Sequence, residues 1–181
     1  MAKPTFRSSR AWIFLFLLGG LFGALALGGF NYAMDRTNET AFCISCHEMQ
    51  NAYAEYSRSI HFKNPSGVQA TCADCHVPKA WGPKLWRKIE AVRDIYHHLL
   101  GTIDTPEKYE AHRLEMAERV WARMEANHSA PCLSCHSYHD MDFDKQRQRS
   151  RDKMKPAMEK GEPCIECHKG IAHKKPMTDD D

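Results

Sequence analysis

The sequence predicts a mostly α-helical protein with long loops, in which one membrane-spanning helix precedes a small domain built of two similar units. Three observations support this class. An uncharged, apolar segment lies near the N-terminus, and a short cysteine–histidine motif occurs four times at spacings that form two pairs. The remaining apolar residues recur at helical intervals, with no competing strand pattern.

The composition excludes several classes of protein. Only 43% of the 181 residues are hydrophobic and the mean hydropathy is -0.59, so the chain outside the apolar segment has little material for a large core. Eight Cys, eleven His and nine Met instead supply ligands for metals and metal-bearing cofactors. A net charge of +2 with a pI near 8.1 is too small for a nucleic-acid-binding surface, so no nucleic acid is expected as a partner.

Residues 11–34 carry no charge and would span roughly 36 Å as a helix, enough to cross a bilayer. Basic residues in segment 1–10 predict a cytoplasmic N-terminus, with residues 35–181 on the periplasmic side. A cleaved signal peptide is the alternative, since residues 24–26 resemble a cleavage site. Its apolar region is usually only about 7 to 15 residues long, whereas this one continues past that site.

Small residues recur every four positions in this segment, at Gly20, Ala24 and Gly28. Such spacing permits close contact between helices in lipid, which would allow a homo-oligomer. A single anchor that tolerates small residues is an equal alternative.

All eight cysteines belong to C-x-x-C-H motifs, for which chance predicts roughly 0.02 matches at this composition. The motif cysteines and histidines are Cys43, Cys46 and His47; Cys72, Cys75 and His76; Cys132, Cys135 and His136; and Cys164, Cys167 and His168. This is the attachment signature of c-type haem, in which both sulfurs bond the porphyrin and the imidazole reaches the iron. Zinc ribbons, thioredoxin-like motifs and disulfide frameworks leave the four histidines unexplained. The sequence therefore predicts four covalent haems, whose apolar surfaces replace the missing core.

Gaps of 29, 60 and 32 residues separate the first cysteines of successive motifs. The short first and last gaps predict two dihaem units, and the long middle gap predicts a helical insert between them. The domain is therefore expected to be a small multihaem cytochrome c.

Three helices are predicted outside the anchor. They run from Met49 to His61, from Gly82 to Gly101, and from Thr105 to a stripe that ends at Met124. Their apolar stripes are expected to pack on a core or a haem. A turn is expected at 64–67 and a solvated connector at 145–155, and the tail 178–181 is expected to be disordered.

The second of these helices carries Trp81, Trp86 and Tyr96 among several Lys and Arg residues. This composition is typical of a helix that lies in a membrane interface. A solvated basic helix packed on a haem is the alternative.

Four further segments carry a family resemblance: CADCHVP at 72–78, LWRKI at 85–89, TPEK at 105–108 and CIECHKGIAH at 164–173. Together with the anchor and the four motifs, they resemble the NapC/NirT/NrfH family of membrane-anchored quinol dehydrogenases over nearly the whole chain. HKGIAH and the segment HRLEMAERVWARM are most similar to the NapC branch. The additional haem domain of TorC-type relatives is not expected.

The resemblance implies a tetrahaem cytochrome of the bacterial inner membrane that oxidises menaquinol or ubiquinol. It implies that electrons pass to a periplasmic reductase, with nitrate reductase as the expected acceptor. An NrfH-type donor to periplasmic nitrite reductase is one alternative. A multihaem electron wire without a quinone site, or a membrane dock for a reductase, are the others.

The family pattern assigns His173 to the second iron, opposite His76, and His61 to the fourth iron, opposite His168. His173 stands five residues after His168, too close to bind the same iron from the opposite face. These two pairings are therefore expected.

The ligands of the first and third irons have alternatives. The resemblance gives the first iron Met49, whereas a generic motif would keep His47. It gives the third iron Lys88 opposite His136, which requires an uncharged lysine. If Lys88 stays charged, two histidines are the alternatives: His112 and His139.

The resemblance also places a basic residue and Asp94 at the quinol site. Since Lys88 is expected to bind iron, Arg87 is the predicted basic residue. Seven helical residues bring Arg87 and Asp94 within about 20° of the same direction, so both could face one quinol. The alternative is an exposed carboxylate paired with His97 or His98.

Overall fold

The structure is a computed structural model that describes residues 6–177. Over that range the chain forms α-helices, two short 3-10 helices and no strand, which confirms the predicted class. The α-helices are α1 (Phe6–Arg36), α2 (Thr40–Cys43), α3 (Met49–Tyr56), α4 (Cys72–His76), α5 (Trp81–Glu90), α6 (Val92–Leu99), α7 (Pro106–Ala111), α8 (Arg113–Ala126), α9 (Ala130–Leu133) and α10 (Gln148–Lys160). The 3-10 helices are Phe143–Lys145 and Cys164–Glu166.

Helix α1 contains the apolar segment. Its part Ser9–Arg36 is long and apolar enough to cross a membrane, and none of its most apolar stretch is buried against the rest of the chain. Exposed apolar side chains on every face are expected of a lone helix in lipid. The predicted span 11–34 lies within α1, whereas residues 1–5 of the predicted cytoplasmic segment and the predicted disordered tail 178–181 lie outside the described residues.

Helix α3 begins at Met49 as predicted but ends at Tyr56, before His61. Turns replace the last part of the predicted helix, since the N–H of Phe62 donates to the carbonyl of Ser59 at 3.1 Å. The ring of Phe62 then packs edge-on against Tyr56, with centroids 5.2 Å apart. The predicted turn at 64–67 is confirmed, with its glycine in the left-handed region at φ +74.

Each of the two helices predicted in the insert is divided. Ala91 separates α5 from α6, and His112 separates α7 from α8. At His112 the backbone N–H and the ring Nδ1 both lie within hydrogen-bond distance of the Lys108 carbonyl, at 3.2 and 2.9 Å, and the backbone leaves the helical conformation there. The predicted start is confirmed, because Thr105 Oγ1 caps α7 by accepting from the Lys108 N–H.

The four motifs meet in pairs. Helix α2, which ends at Cys43, contacts α4, which begins at Cys72, and the side chains of Cys132 and Cys164 also lie close together. Contact between α4 and α9 joins the two pairs. The structure thus reproduces the grouping that the motif spacing predicted.

The protein core is small. In the described range five apolar side chains are buried: Met34, Tyr56, Tyr109, Ile165 and Pro176. Ser129, which is fully buried at φ +56, links the third and fourth motifs because its Oγ accepts from the Ile165 N–H at 3.1 Å. So few buried apolar groups agree with a fold that prosthetic groups complete.

The prediction of a connector at 145–155 is wrong for residues 148–155, which belong to α10. That segment lacks a clear apolar stripe, but most of its residues are Arg, Lys, Gln or Met, which favour helix without one. Gly161 ends the helix in the left-handed conformation at φ +67.

Candidate functional site

Helix α5 is fixed against the end of the anchor by three polar contacts. Trp81 Nε1 donates to Asn31 Oδ1 at 3.3 Å, and Lys84 Nζ lies 3.6 Å from an Asp35 carboxylate oxygen. The third contact comes from Lys88. These contacts place α5 where α1 would leave a bilayer.

Lys88 Nζ donates to the carbonyl and to Oγ1 of Thr37, at 2.8 and 2.9 Å. Burial lowers the pKa of Lys88, and the charges of Arg87 and Lys84 act in the same direction. Among the described residues, none of its hydrogen bonds reaches the third motif; Lys88 instead lies near Cys43 of the first. Its ligation of the third iron stays a prediction.

Arg87 and Asp94 lie together across the break at Ala91. Arg87 Nη2 donates to Asp94 Oδ2 at 3.2 Å. The Arg87 side chain is only 19% exposed and that of Asp94 is 64% exposed. Arg87 Nε is buried and has no hydrogen-bond partner among the described residues.

The apolar side chains of α5 and α6 do not pack on a protein core within the described residues, and packing of the stripe on a haem stays a prediction. Trp86 and Val92 are each 62% exposed and Leu99 is 77% exposed. An exposed apolar face beside the end of a membrane anchor matches the predicted interfacial helix.

Glu48 is a buried carboxylate that the sequence analysis missed. Its Oε1 lies 2.6 Å from His98 Nδ1 and its Oε2 lies 3.5 Å from His47 Nδ1. Burial alone would raise the pKa of Glu48, but hydrogen bonds from its own backbone N–H and from His98 lower it. Glu48 follows the first motif directly, and no sequence pattern pairs it with α6.

Glu48, His98 and Cys46 lie within 4.8 Å of one another and could hold a metal ion by geometry. Cys46 is a motif cysteine, so its sulfur is a thioether in the haem-bearing protein. The two candidate ligands of the first iron, His47 and Met49, are both exposed at the start of α3.

His76 and His173 lie together, with ring centroids 6.1 Å apart. Two imidazoles on opposite sides of one metal, each bonded at about 2.0 Å, would have centroids roughly 6 Å apart. Burial and the neighbouring charge of His173 lower the pKa of His76 to about 4, which keeps the ring in the neutral form that binds metals.

The ring beside His61 is that of His136, at 6.2 Å between centroids. The family pattern instead pairs His61 with His168, and that pairing stays a prediction. Within residues 6–177, Nδ1 of His61 and Nδ1 of His173 are both buried without a hydrogen-bond partner, and His173 Nδ1 lies 4.0 Å from a Glu55 carboxylate oxygen. A buried ring nitrogen that lacks a partner fits a metal ligand.

The two alternative ligands of the third iron differ in their surroundings. His139 has a side chain that is 96% exposed and lies 3.3 Å from an Asp140 carboxylate oxygen. Nδ1 of His112 lies at hydrogen-bond distance, 2.9 Å, from the Lys108 carbonyl oxygen.

Arg113 positions the segment that carries His173. It is buried and hydrogen-bonds to both carboxylate oxygens of Glu55, at 2.5 and 3.0 Å. Glu55 also accepts from the Lys174 N–H at 2.9 Å, and Arg113 donates to the Lys174 carbonyl at 3.1 Å. Burial would raise the pKa of Glu55, but the hydrogen bonds from Arg113 and Lys174 lower it. Sequence reasoning missed this network because its members are far apart in the chain.

The fourth motif lines a cavity of about 230 Å³. Its walls include the motif residues Cys164, Cys167 and His168 and the less polar side chains of Tyr138 and Met154. Two sulfurs, an imidazole and apolar walls are the groups that a covalently held porphyrin requires, so these residues fit a c-type haem.

Comparison with known proteins agrees with this chemistry. The NapC/NirT cytochrome c family, N-terminal region, matches residues 6–178. The chain is 51% identical to a tetraheme cytochrome-c type protein of Allochromatium vinosum, over 100% of this chain and 99% of that protein. It is 48% identical to the denitrification system component NirT of Stutzerimonas stutzeri, over 100% of this chain and 90% of that protein.

The chain is also 48% identical to the cytochrome c-type protein NapC of Escherichia coli, over 90% of this chain and 82% of that protein. No solved structure matches the chain. The chain therefore belongs to the NapC/NirT cytochrome c family, whose members are membrane-anchored c-type cytochromes that transfer electrons in respiratory chains.

Proposed function

We propose that this protein is a quinol dehydrogenase of the bacterial inner membrane, with residues 35–181 in the periplasm. It takes electrons from menaquinol or ubiquinol and passes them to a periplasmic reductase, for which nitrate reductase is the proposed acceptor. The observation that carries this proposal is the Arg87–Asp94 pair, which lies on helices held at the outer end of the membrane anchor.

Access to this pair from the membrane is supported by the exposed apolar face of α5 and α6. A quinol is dissolved in the bilayer and must reach a protein group without leaving lipid. The side chains of Trp86, Val92 and Leu99 offer such a surface beside Arg87.

Arg87 is the proposed group that binds the quinol. The guanidinium has more N–H groups than the one that Asp94 accepts, and part of the side chain is exposed, so it can also donate a hydrogen bond to a ring oxygen. That oxygen gains negative charge as its proton leaves, and the guanidinium stabilises the charge because it is always protonated.

Asp94 is the proposed proton acceptor. Oxidation of a quinol to a quinone releases two protons and two electrons. The Asp94 carboxylate lies at hydrogen-bond distance from Arg87 and is largely exposed, so it can take a proton from the quinol and release it to water.

Four c-type haems would supply one-electron acceptors when bound. They would be attached through the eight motif cysteines. The proposed iron ligands are His47 or Met49 for the first iron, His76 with His173, His136 with Lys88, and His168 with His61. His112 and His139 remain the alternatives to Lys88.

Reduction by quinol tests the proposal. The full-length protein in proteoliposomes should be reduced by a menaquinol or ubiquinol analogue without any other protein. An electron wire without a quinone site would be reduced by a protein donor or by dithionite but not by the quinol.

The acceptor needs its own measurement. The quinol-reduced protein should be reoxidised by purified periplasmic nitrate reductase with nitrate present. Faster reoxidation by nitrite reductase with nitrite would favour the NrfH-type alternative.

A further inference from the structure

Helix α10 has an unusual excess of cations at its N-terminus. Arg147 is the N-cap, Arg149 and Arg151 follow, and the first turn has no acidic residue. The N-terminal end of a helix is itself positive, so these charges oppose the helix dipole. Such a conflict between local sequence and structure is expected where the residues serve a function.

The cations of α10 point to two different sides. Arg149 and Lys153 lie one turn apart and line the cavity that contains Cys164, Cys167 and His168. Two other cations, Arg151 and Lys155, line a separate, open cleft.

The two sides also differ in charge balance. Arg151 is paired with Asp144 at 3.4 Å, whereas Arg149 and Lys153 form no ion pair within the described part of the chain. Glu162, the carboxylate on the wall of the same cavity, is paired with Lys160 at 3.6 Å. The cavity of the fourth motif therefore has two cations that lack an anion.

We propose that Arg149 and Lys153 form a carboxylate-binding site for the propionate groups of the haem attached at Cys164 and Cys167, and that their charges raise the reduction potential of this haem. The proposal rests on haem attachment at the fourth motif. Propionates are the anionic groups of a porphyrin, and cations on one wall of its cavity are placed to bind them with charge-assisted hydrogen bonds.

The effect on potential follows from charge. A reduced iron centre carries one negative charge more than an oxidised one. Arg149 and Lys153 favour the reduced state directly, and they also offset the negative propionates beside it. Without these two cations, the reduction potential of the haem at the fourth motif should fall.

The test uses the full-length, haem-loaded protein in nanodiscs. Mass spectrometry first establishes that four haems are attached. A spectroelectrochemical titration then compares the wild type with the double variant Arg149→Gln/Lys153→Gln. We expect one of the four components to shift to lower potential, with the other three unchanged. We also expect that component to depend more steeply on pH, because propionates without partners take up a proton on reduction.

Two further variants separate binding from general charge. Lys155→Gln removes the same charge from the open cleft on the other side of α10 and should leave all four potentials unchanged. Arg149→Lys/Lys153→Arg keeps both charges in the cavity and should retain the wild-type potentials.

Unchanged potentials in the double glutamine variant would overturn the proposal. So would an equal shift in Lys155→Gln, which would indicate an effect of net charge. If the potentials of the double glutamine variant are unchanged but it delivers electrons to a partner protein more slowly, Arg149 and Lys153 would instead serve to dock that partner. If the double variant carries three haems, the two single glutamine variants provide the same comparison. If mass spectrometry finds fewer than four haems on the wild-type protein, the tetrahaem assignment itself is contradicted.

Discussion

Arg87 and Asp94, which lie on two successive helices, form an ion pair with 3.2 Å between Arg87 Nη2 and Asp94 Oδ2. Partly exposed pairs of this kind contribute only about 0 to 1 kcal/mol to stability. The importance of the pair therefore lies in its position, since it joins the proposed proton acceptor to a cation beside the exposed apolar face of α5 and α6.

Replacing Asp94 tests its proposed role in proton transfer. Asp94→Asn keeps the shape of the side chain but cannot accept a proton, so the rate of reduction by quinol should fall about 100-fold. Stopped-flow absorbance in proteoliposomes measures that rate, and dithionite should still reduce the variant fully. The matched control is Asp152→Asn on α10, which should react normally. A normal quinol rate in Asp94→Asn would remove the role.

The exposed apolar face should matter for quinols that are dissolved in lipid. In Val92→Ser/Leu99→Ser, reduction by a long-chain quinol in proteoliposomes should slow several-fold, because the face no longer enters the interface. A water-soluble, short-chain quinol should react at the wild-type rate. Val68→Ser, at an exposed position in the loop before α4, serves as the control. Equal slowing with both quinols would indicate a structural defect instead.

Removing Arg113 should loosen the segment that carries His173. Arg113→Met leaves the Glu55 carboxylate without its partner and should lower the free energy of unfolding by about 3 kcal/mol. The absorption and EPR spectra of one haem should change as well if His173 is an iron ligand. Arg119→Met removes only an exposed ion pair with Glu115 and should alter neither measurement. An unchanged spectrum would argue against ligation by His173.

The buried hydroxyl of Ser129 should stabilise the contact between the third and fourth motifs. Ser129→Ala leaves the Ile165 N–H without an acceptor, which should cost about 1 to 3 kcal/mol in chemical denaturation. Ser134→Ala, five residues further along the chain, removes an exposed hydroxyl and should cost little. Equal stability of the two variants would contradict the proposed role of the hydrogen bond.

Alkaline pH should destabilise the protein through Tyr109. Burial raises the pKa of Tyr109 above its ordinary value of 10.0, and the nearby Glu55 charge adds to this. Above that pH the unfolded chain loses the tyrosine proton first, so the free energy of unfolding falls as pH rises. Tyr109→Phe should reduce this fall above about pH 10, measured by denaturation followed by circular dichroism. The exposed Tyr96, replaced by Phe, provides the control.

Local patterns predicted much of the fold. The turn at 64–67, the cap at Thr105 and the start of α3 were all foreseen, because each depends on residues that are close in the chain. Helix lengths were less predictable. The breaks at Ala91 and His112 interrupt patterns that remain helical in spacing, and α10 forms without an apolar stripe to reveal it.

Covalent haem attachment and membrane insertion depend on which residues occur at which intervals in the sequence. The four motifs, their grouping in pairs and the apolar anchor could therefore be predicted from the sequence alone. Contacts between distant residues depend on how the chain folds back on itself. The burial of Glu48 under His98 and the Glu55–Arg113 network emerged only in three dimensions, because no interval in the sequence links residues that are 50 or 58 positions apart.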